Sequence, residues 1–250
     1  IILVSAATAQ DARPGVRAHH CLVYDESRAA VVLAGGSTSV NDSFVFYDDL
    51  WSFDGAAWSR IGTLGQPLSD LRLAYHPEAE GLVAFGGFSQ DGRNHGELCE
   101  WIEGEWSLID GAPDKAAAGP GFVFDTKRGC FVLFGGGFGD GQKRGTTLEW
   151  DGTAWATRAV PGPEPRTAHG MVYDARRARV VLFGGSGAKR LGDTWEWDGT
   201  IWKRFEGPGP PARVAPGLAY DSKRGRTLQF GGGGAGALGD TWSIDGTKWE

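Results

Sequence analysis

The chain is poor in the residues that build metal centres and disulfide frameworks. It has three cysteines, Cys21, Cys99 and Cys130, and five histidines in 250 residues. An odd, widely spaced cysteine set is not a disulfide framework. His19 and His20 are adjacent and face opposite ways in an extended chain. His76, His95 and His169 are dispersed, so no pair has metal-ligand spacing, and neither a metal nor a cofactor is expected. No apolar run approaches the ~20 residues that span a bilayer as a helix. Positive charge is not in excess either: Lys plus Arg number 25 against 31 Asp plus Glu, a formal charge of −6. A general nucleic-acid binder carries a basic stripe, so nucleic acid is not the expected partner. There is no Gly/Ser or Pro-rich linker to divide the chain.

Glycine and tryptophan are abundant, at 41 and 11 residues. A glycine doublet recurs at Gly35-Gly36, Gly86-Gly87, Gly135-Gly136, Gly184-Gly185 and Gly231-Gly232. A spacing near 50 residues marks a radial or linear array of small sheets. Ten residues before each doublet stand Asp25, His76, Asp125, Asp174 and Asp221, each preceded by Tyr or Phe. A first strand ends at that aromatic. A charged turn follows, such as Asp174-Ala175-Arg176-Arg177, where Asp bonds its own downstream backbone. The second strand is an apolar run, for example Val180-Val181-Leu182-Phe183, of the kind buried on both faces. The doublet ends it, where a side chain would meet neighbouring backbone. Cys21 falls in a column held by Gly121, Gly170 and Gly217, which marks a crowded position. Cys99 falls in the column of Trp51, Leu148, Trp195 and Trp242 and reads as a small buried hydrophobe.

After a variable loop a third strand alternates apolar residues, as in Trp195-Glu196-Trp197. Asp54-Gly55, Asp151-Gly152, Asp198-Gly199 and Asp245-Gly246 then form hairpin turns into a fourth strand at Trp58, Trp155, Trp202 and Trp249; Glu103-Gly104 leads to Trp106. Four strands in each of five units predict an all-β propeller whose blades bury their faces against one another. The units run 17–67, 68–116, 117–165, 166–212 and 213–250.

These motifs resemble the kelch repeat over about residues 17–250. The pattern is closest to the bacterial variant similar to the galactose oxidase central domain, through Asp193-Thr194-Trp195 and Asp240-Thr241-Trp242. Unit two departs most, with His76, Ala79 and Glu97-Leu98-Cys99 at the motif positions. The Asp-Gly-Thr-x-Trp stretch differs from the Asp-box of sialidases, because Asp and Gly are adjacent. The resemblance implies six or seven blades. Trp249-Glu250 lie inside a fourth strand, so the five visible blades are expected to be part of a larger ring; the alternative is a five-bladed ring closed by Ile1–Ser5. Residues 1–16 are a lead-in. Ala7-Thr8-Ala9, after an apolar stub, has the form of a signal-peptidase site, which implies a secreted or periplasmic protein; the strand reading leaves a cytoplasmic one open. A copper site like that of galactose oxidase is not expected, since four of the five tyrosines sit in a repeat column.

The long loops between strands two and three favour one face for binding. They carry Asn41, Asp42, Asp91, Arg93, Asn94, His95, Asp140, Lys143 and Arg144, with Lys189 and Arg190 in unit four. Phe44, Phe46 and Tyr47 form an exposed patch or fold back over the blade. A second set recurs before the first strand, in Arg17-x-x-His20, Arg166-x-x-His169 and Arg213-x-x-Pro216. Those arginines either grip an anionic ligand through forked hydrogen bonds or pair with Asp193 and Asp240 to fix blade spacing. The ligand-binding candidates are therefore Arg17, His20, Arg93, His95, Lys143, Arg144, Arg166, His169, Lys189, Arg190 and Arg213, with no catalytic set. The expected function is non-catalytic binding or scaffolding, with a protein or carbohydrate partner. The alternative is a small-molecule enzyme resembling periplasmic sugar mutarotases that use this propeller.

Overall fold

A computed structural model describes residues 13–102, 104–110, 118–137 and 141–250. Ile1–Ser5, Ala7–Ala9 and Asp140 lie outside the described residues. The described chain is all-β, with five small antiparallel sheets arranged as a five-bladed propeller. Blade 1 comprises Cys21–Asp25, Ala30–Ala34, Asp49–Phe53 and Trp58–Thr63. Blade 2 comprises Arg72–His76, Gly81–Phe85, Leu98–Ile102 and Glu105–Asp110. Blade 3 comprises Gly121–Asp125, Cys130–Phe134, Thr147–Trp150 and Trp155–Arg158. Blade 4 comprises Gly170–Asp174, Arg179–Ser186, Arg190–Trp197 and Trp202–Arg204. Blade 5 has Gly217–Asp221, Arg226–Phe230 and Thr241–Ile244, and Trp249 bridges back to Ile244 at the place of a fourth strand.

The turns do what their residues dictate. Asp125 Oδ1 accepts the backbone N–H groups of Lys127 and Arg128, and its Oδ2 holds the Arg128 side chain at 2.7 Å. Asp174 with Arg177 and Asp221 with Arg224 repeat the arrangement. At the opposite hairpins Asp198 Oδ1 accepts from Thr200 and Ile201 N–H. Each carboxylate thus replaces the backbone partners that a tight turn leaves unpaired.

Packing between blades follows one rule. The back of each sheet meets the front of the next. Phe134 and Val132 of blade 3 pack on Tyr173, Val180, Leu182, Trp197 and Trp202 of blade 4. Phe85 and Leu98 of blade 2 pack on Phe122, Phe131 and Trp150 of blade 3. The fourth-strand tryptophans also bond backwards: Trp202 Nε1 donates to Thr147 Oγ1 at 2.8 Å and Trp249 Nε1 to Thr194 Oγ1 at 3.0 Å. Trp202 and Trp249 thus bury their rings and satisfy their one donor, whereas Trp155 Nε1 of blade 3 has no such partner among the described residues.

Around the axis the blades are joined by backbone. His19, Asp70, Gly119, Ala168 and Ala215 occupy the same column, and all five have positive φ, between 49° and 62°. Each N–H after the first donates to the carbonyl of its counterpart one blade earlier: Asp70 to His19, Gly119 to Asp70, Ala168 to Gly119 and Ala215 to Ala168, at 2.7–3.1 Å. No hydrogen bond or ion pair among the described residues joins blade 5 to blade 1. The outer faces of these two blades are accordingly exposed. Phe230 is 60% exposed where Phe85, Phe134 and Phe183 are at 0%, and Leu22 is 54% exposed where Phe122 is at 4%.

The glycine doublet belongs to the same junction. Gly36 N–H donates to the Leu68 carbonyl, Gly136 to Arg166 and Gly185 to Arg213, each in the following blade. A Cβ on Gly35 would lie 2.4 Å from the Leu68 carbonyl oxygen, and φ there is +58°. Gly129 has φ +63° with nothing within 4 Å of a Cβ. Gly129→Ala is therefore expected to cost about 1 kcal/mol from backbone strain alone. Gly35→Ala adds the overlap, for about 2–4 kcal/mol in total. Equal shifts of the two urea-denaturation midpoints would contradict this account.

Candidate functional site

The three recurring arginines lie inside the blades. Arg166 and Arg213 are fully buried, and the Arg17 side chain is 3% exposed. Arg166 Nε donates to the Glu164 carbonyl (3.1 Å), Nη1 to the Gly184 carbonyl (3.0 Å) and to Asp193 Oδ1 (2.7 Å), and Nη2 to Asp193 Oδ2 (2.9 Å). Asp193 Oδ2 in turn accepts Trp195 Nε1–H at 2.6 Å. Arg213, Gly231, Asp240 and Trp242 repeat the assembly in blade 5. Arg17, Gly35, Asp49 and Trp51 repeat it in blade 1, with the Arg17 guanidinium also over the Tyr47 ring. Hydrogen bonds from the arginine and tryptophan hold the Asp193, Asp240 and Asp49 carboxyls below the usual range against the opposing effect of burial. Four of each guanidinium's donors are committed to the protein.

The paired histidines are also internal. His169 is 3% exposed, with its ring edge-on to Phe134 at 5.8 Å. Neither of its ring nitrogens has a partner, and burial, Arg166 and Arg72 push its pKa well below 6.5. Burial first, then Arg17, lowers that of the half-buried His20. His19 behaves oppositely: its bond to Asp70 at 3.2 Å raises its pKa.

On the loop face, residues from blades 3 and 4 meet. A cleft of about 380 Å³ is lined by Gly141, Lys143, Glu164, Pro165, Gly187 and Ala188. Lys143 Nζ is fixed by Ser186 Oγ at 3.1 Å and the Gly187 carbonyl at 2.6 Å, which leaves one ammonium donor. Ser186 pairs with Arg190 across the tip of the blade 4 hairpin, and Lys189 sits in that tip. Arg144 supports the cleft through its backbone, donating to the Gly136 carbonyl and accepting from Arg166 N–H. Of the predicted cations only Lys143 lines the cleft; Lys189 and Arg190 belong to the hairpin whose Ser186 and Gly187 it bonds.

Arg93 and His95 lie apart from that cleft, on the blade 2 loop. Arg93 pairs with Asp91 at 3.2 Å and is exposed. His95 Nε2 lies 2.9 Å from Ser89 Oγ and its Nδ1 3.4 Å from Glu97. This order resembles a hydrolytic relay, but the Ser89 hydroxyl donates to Asp91 instead of the imidazole. Ser37–Val40 and Ser43–Phe46 form an extra hairpin. On it Phe44 is 66% exposed, while Phe46 packs on Phe88 with ring centroids 6.2 Å apart. Cys99 is half-buried instead of sealed in, because it borders a small cavity of blade 2. That cavity was not visible in the sequence; the signal for it was the simultaneous departure of Glu97 and Cys99 from the Asp and Trp of their columns.

No family model matches the sequence, and no curated protein matches it. The fold does match: a solved structure described as "Structure of YjhT" aligns with a TM-score of 0.73 at 14% identity, covering 94% of this chain and 84% of that one. At that identity the likeness establishes the β-propeller fold.

Two predictions follow from the buried groups. Arg166→Ala leaves the Gly184 carbonyl without its donor and the Asp193 carboxylate without its cation, bonded only by Trp195 Nε1–H, and is expected to cost about 3–5 kcal/mol in denaturant titration. Arg166→Lys, lacking the fork, recovers only part. His169 is neutral when folded and accepts a proton once unfolded below pH 6.5. Its contribution is therefore present above pH 6.5 and falls as pH drops, by at most about 1.4 kcal/mol per pH unit. The stability difference between wild type and His169→Gln should change in favour of the variant between pH 6.5 and 4.5; a constant difference would refute the assignment.

Proposed function

We propose that this protein is a kelch-type binding or scaffolding propeller that recognises a protein or carbohydrate partner at its loop face. The observation that carries this reading is the cleft between blades 3 and 4. It falls in the size range of ligand sites, about 300–1,000 Å³. Lys143 enters it pre-positioned, with a donor to spare, and Glu164 supplies acceptors on the same rim. A mixed rim of this kind suits the hydroxyl and amide groups of a glycan or peptide. Gly141, with open space where a Cβ would stand, lets a ligand approach the backbone closely.

The kelch assignment is supported by the fivefold Gly-Gly doublet, the aromatic-Asp turn and the paired tryptophans. The apolar stub with Ala7-Thr8-Ala9 supports export from the cell. A glycan and peptide binding screen tests the reading. Lys143→Ala combined with Glu164→Gln is expected to weaken the selected ligand about tenfold or more while the propeller stays folded by circular dichroism. Unchanged affinity would sink the cleft assignment, and turnover of a bound sugar would favour an enzyme of the mutarotase type.

A further inference from the structure

The blade 2 cavity stands where three other blades hold a guanidinium. Leu68 occupies the arginine column, and its backbone makes the same junctions. Its N–H donates to the Tyr47 carbonyl as Arg166 N–H does to Arg144, and its carbonyl accepts Gly36 N–H as that of Arg166 accepts Gly136 N–H. The partners of the missing side chain are nevertheless in place. Gly86 corresponds to Gly35, Gly184 and Gly231, whose carbonyls each accept an arginine Nη1–H at 2.9–3.0 Å. Gln66 corresponds to the residue whose carbonyl accepts Nε–H in the other blades. Glu97 takes the place of Asp49, Asp193 and Asp240. All of these residues, with Leu68 and Cys99, line one cavity of about 70 Å³.

The cavity is a physical vacancy and not only an alignment gap. Gly86 is buried, and its carbonyl accepts no hydrogen bond from the described residues. An unpaired buried carbonyl costs about 1–3 kcal/mol. Leu64, Leu71, Ala84 and the Trp106 ring supply apolar walls. By the same measure a single water needs about 10–15 Å³, so the space admits a planar group of a few heavy atoms. The Leu68 side chain blocks entry along the path that an internal arginine takes. Glu97, 55% exposed, borders the open side beside His95; its Oε2 is held by Gly96 N–H at 3.0 Å and lies 3.4 Å from His95 Nδ1, which leaves Oε1 for a ligand.

We propose that this vacancy is a binding site for an exogenous guanidinium group, as carried by an arginine side chain or a small guanidinium compound. The ligand enters past Glu97, forms a charge-assisted pair with that carboxylate and donates to the Gly86 carbonyl. It completes in trans the bonding that Arg17, Arg166 and Arg213 complete in cis. The site is separate from the cleft between blades 3 and 4, and it stands whether or not that cleft binds a partner.

The test is calorimetric titration of the full chain with N-acetyl-arginine amide, using N-acetyl-citrulline amide as the uncharged isostere. Saturable binding of the first and none of the second is expected. Glu97→Gln, an exposed change that leaves the core intact, should weaken binding about tenfold or more. Leu68→Arg should fill the site from within and abolish binding. No saturable binding, equal binding of citrulline, or affinity unaffected by Glu97→Gln overturns the proposal, and marks the Gly86 carbonyl as merely hydrated. An arginine-containing peptide then separates the sources. Tighter binding than the amide assigns the site to a polypeptide, and equal binding assigns it to a free guanidinium compound; either supports the site.

Discussion

Five residues in the left-handed backbone region carry the ring. His19, Asp70, Gly119, Ala168 and Ala215 each turn the chain into a first strand, and their N–H and C=O groups link one blade to the next. Only one is glycine, so four pay a conformational penalty of about 1–2 kcal/mol each. The penalty is offset because the geometry pairs the backbone polar groups where neighbouring blades converge. Everything else in the blade is arranged around that junction. The glycine doublet brings the end of the second strand against the next blade's backbone, and the arginine column supplies the carbonyl it bonds.

The arginine, the aspartate and the tryptophan behave as one unit. Where all three are present, the buried guanidinium is neutralised by a forked pair with the carboxylate, and the carboxylate also accepts the indole N–H. Where the arginine is replaced, the other two have changed as well: blade 2 has Leu68, Glu97 and Cys99 in those columns. The physical reason is the cost of a half-complete polar network in a low-dielectric interior. An aspartate left at that depth without its guanidinium would be charged and unpaired. Glu97 avoids this by reaching solvent, and Cys99 leaves the space that an indole fills elsewhere.

Much of the fold was legible in the sequence, because period and chemistry coincide. Asp-Gly turns, aromatic-Asp turns and apolar strands each recur at fixed offsets, and one blade explains the next. The crowding at Cys21 was legible for the same reason: its counterparts are glycines, and a Cβ on Gly170 would lie 2.3 Å from Leu218. The left-handed column was not legible. Its residues are His, Asp, Gly, Ala and Ala, so geometry is shared where side-chain identity is not. The hairpin of Phe44 was equally hidden, since its residues belong to no column. For the candidate site, sequence could rank the loop cations but not place them. Lys143 reaches Ser186 and Gly187 only because two loops of unlike sequence lean together. The cavity of blade 2 emerges from an absence, which is visible only once the neighbouring columns are given coordinates.

The central belt also bears on how the molecule assembles. Each of its bonds joins residues one whole blade apart in sequence, so each closes a loop of about 50 residues before it is rewarded. Contacts of that separation slow folding relative to a chain built on local ones. The hairpins within a blade, joined by short turns, are the contacts that can form first, and the belt is what registers finished blades against one another.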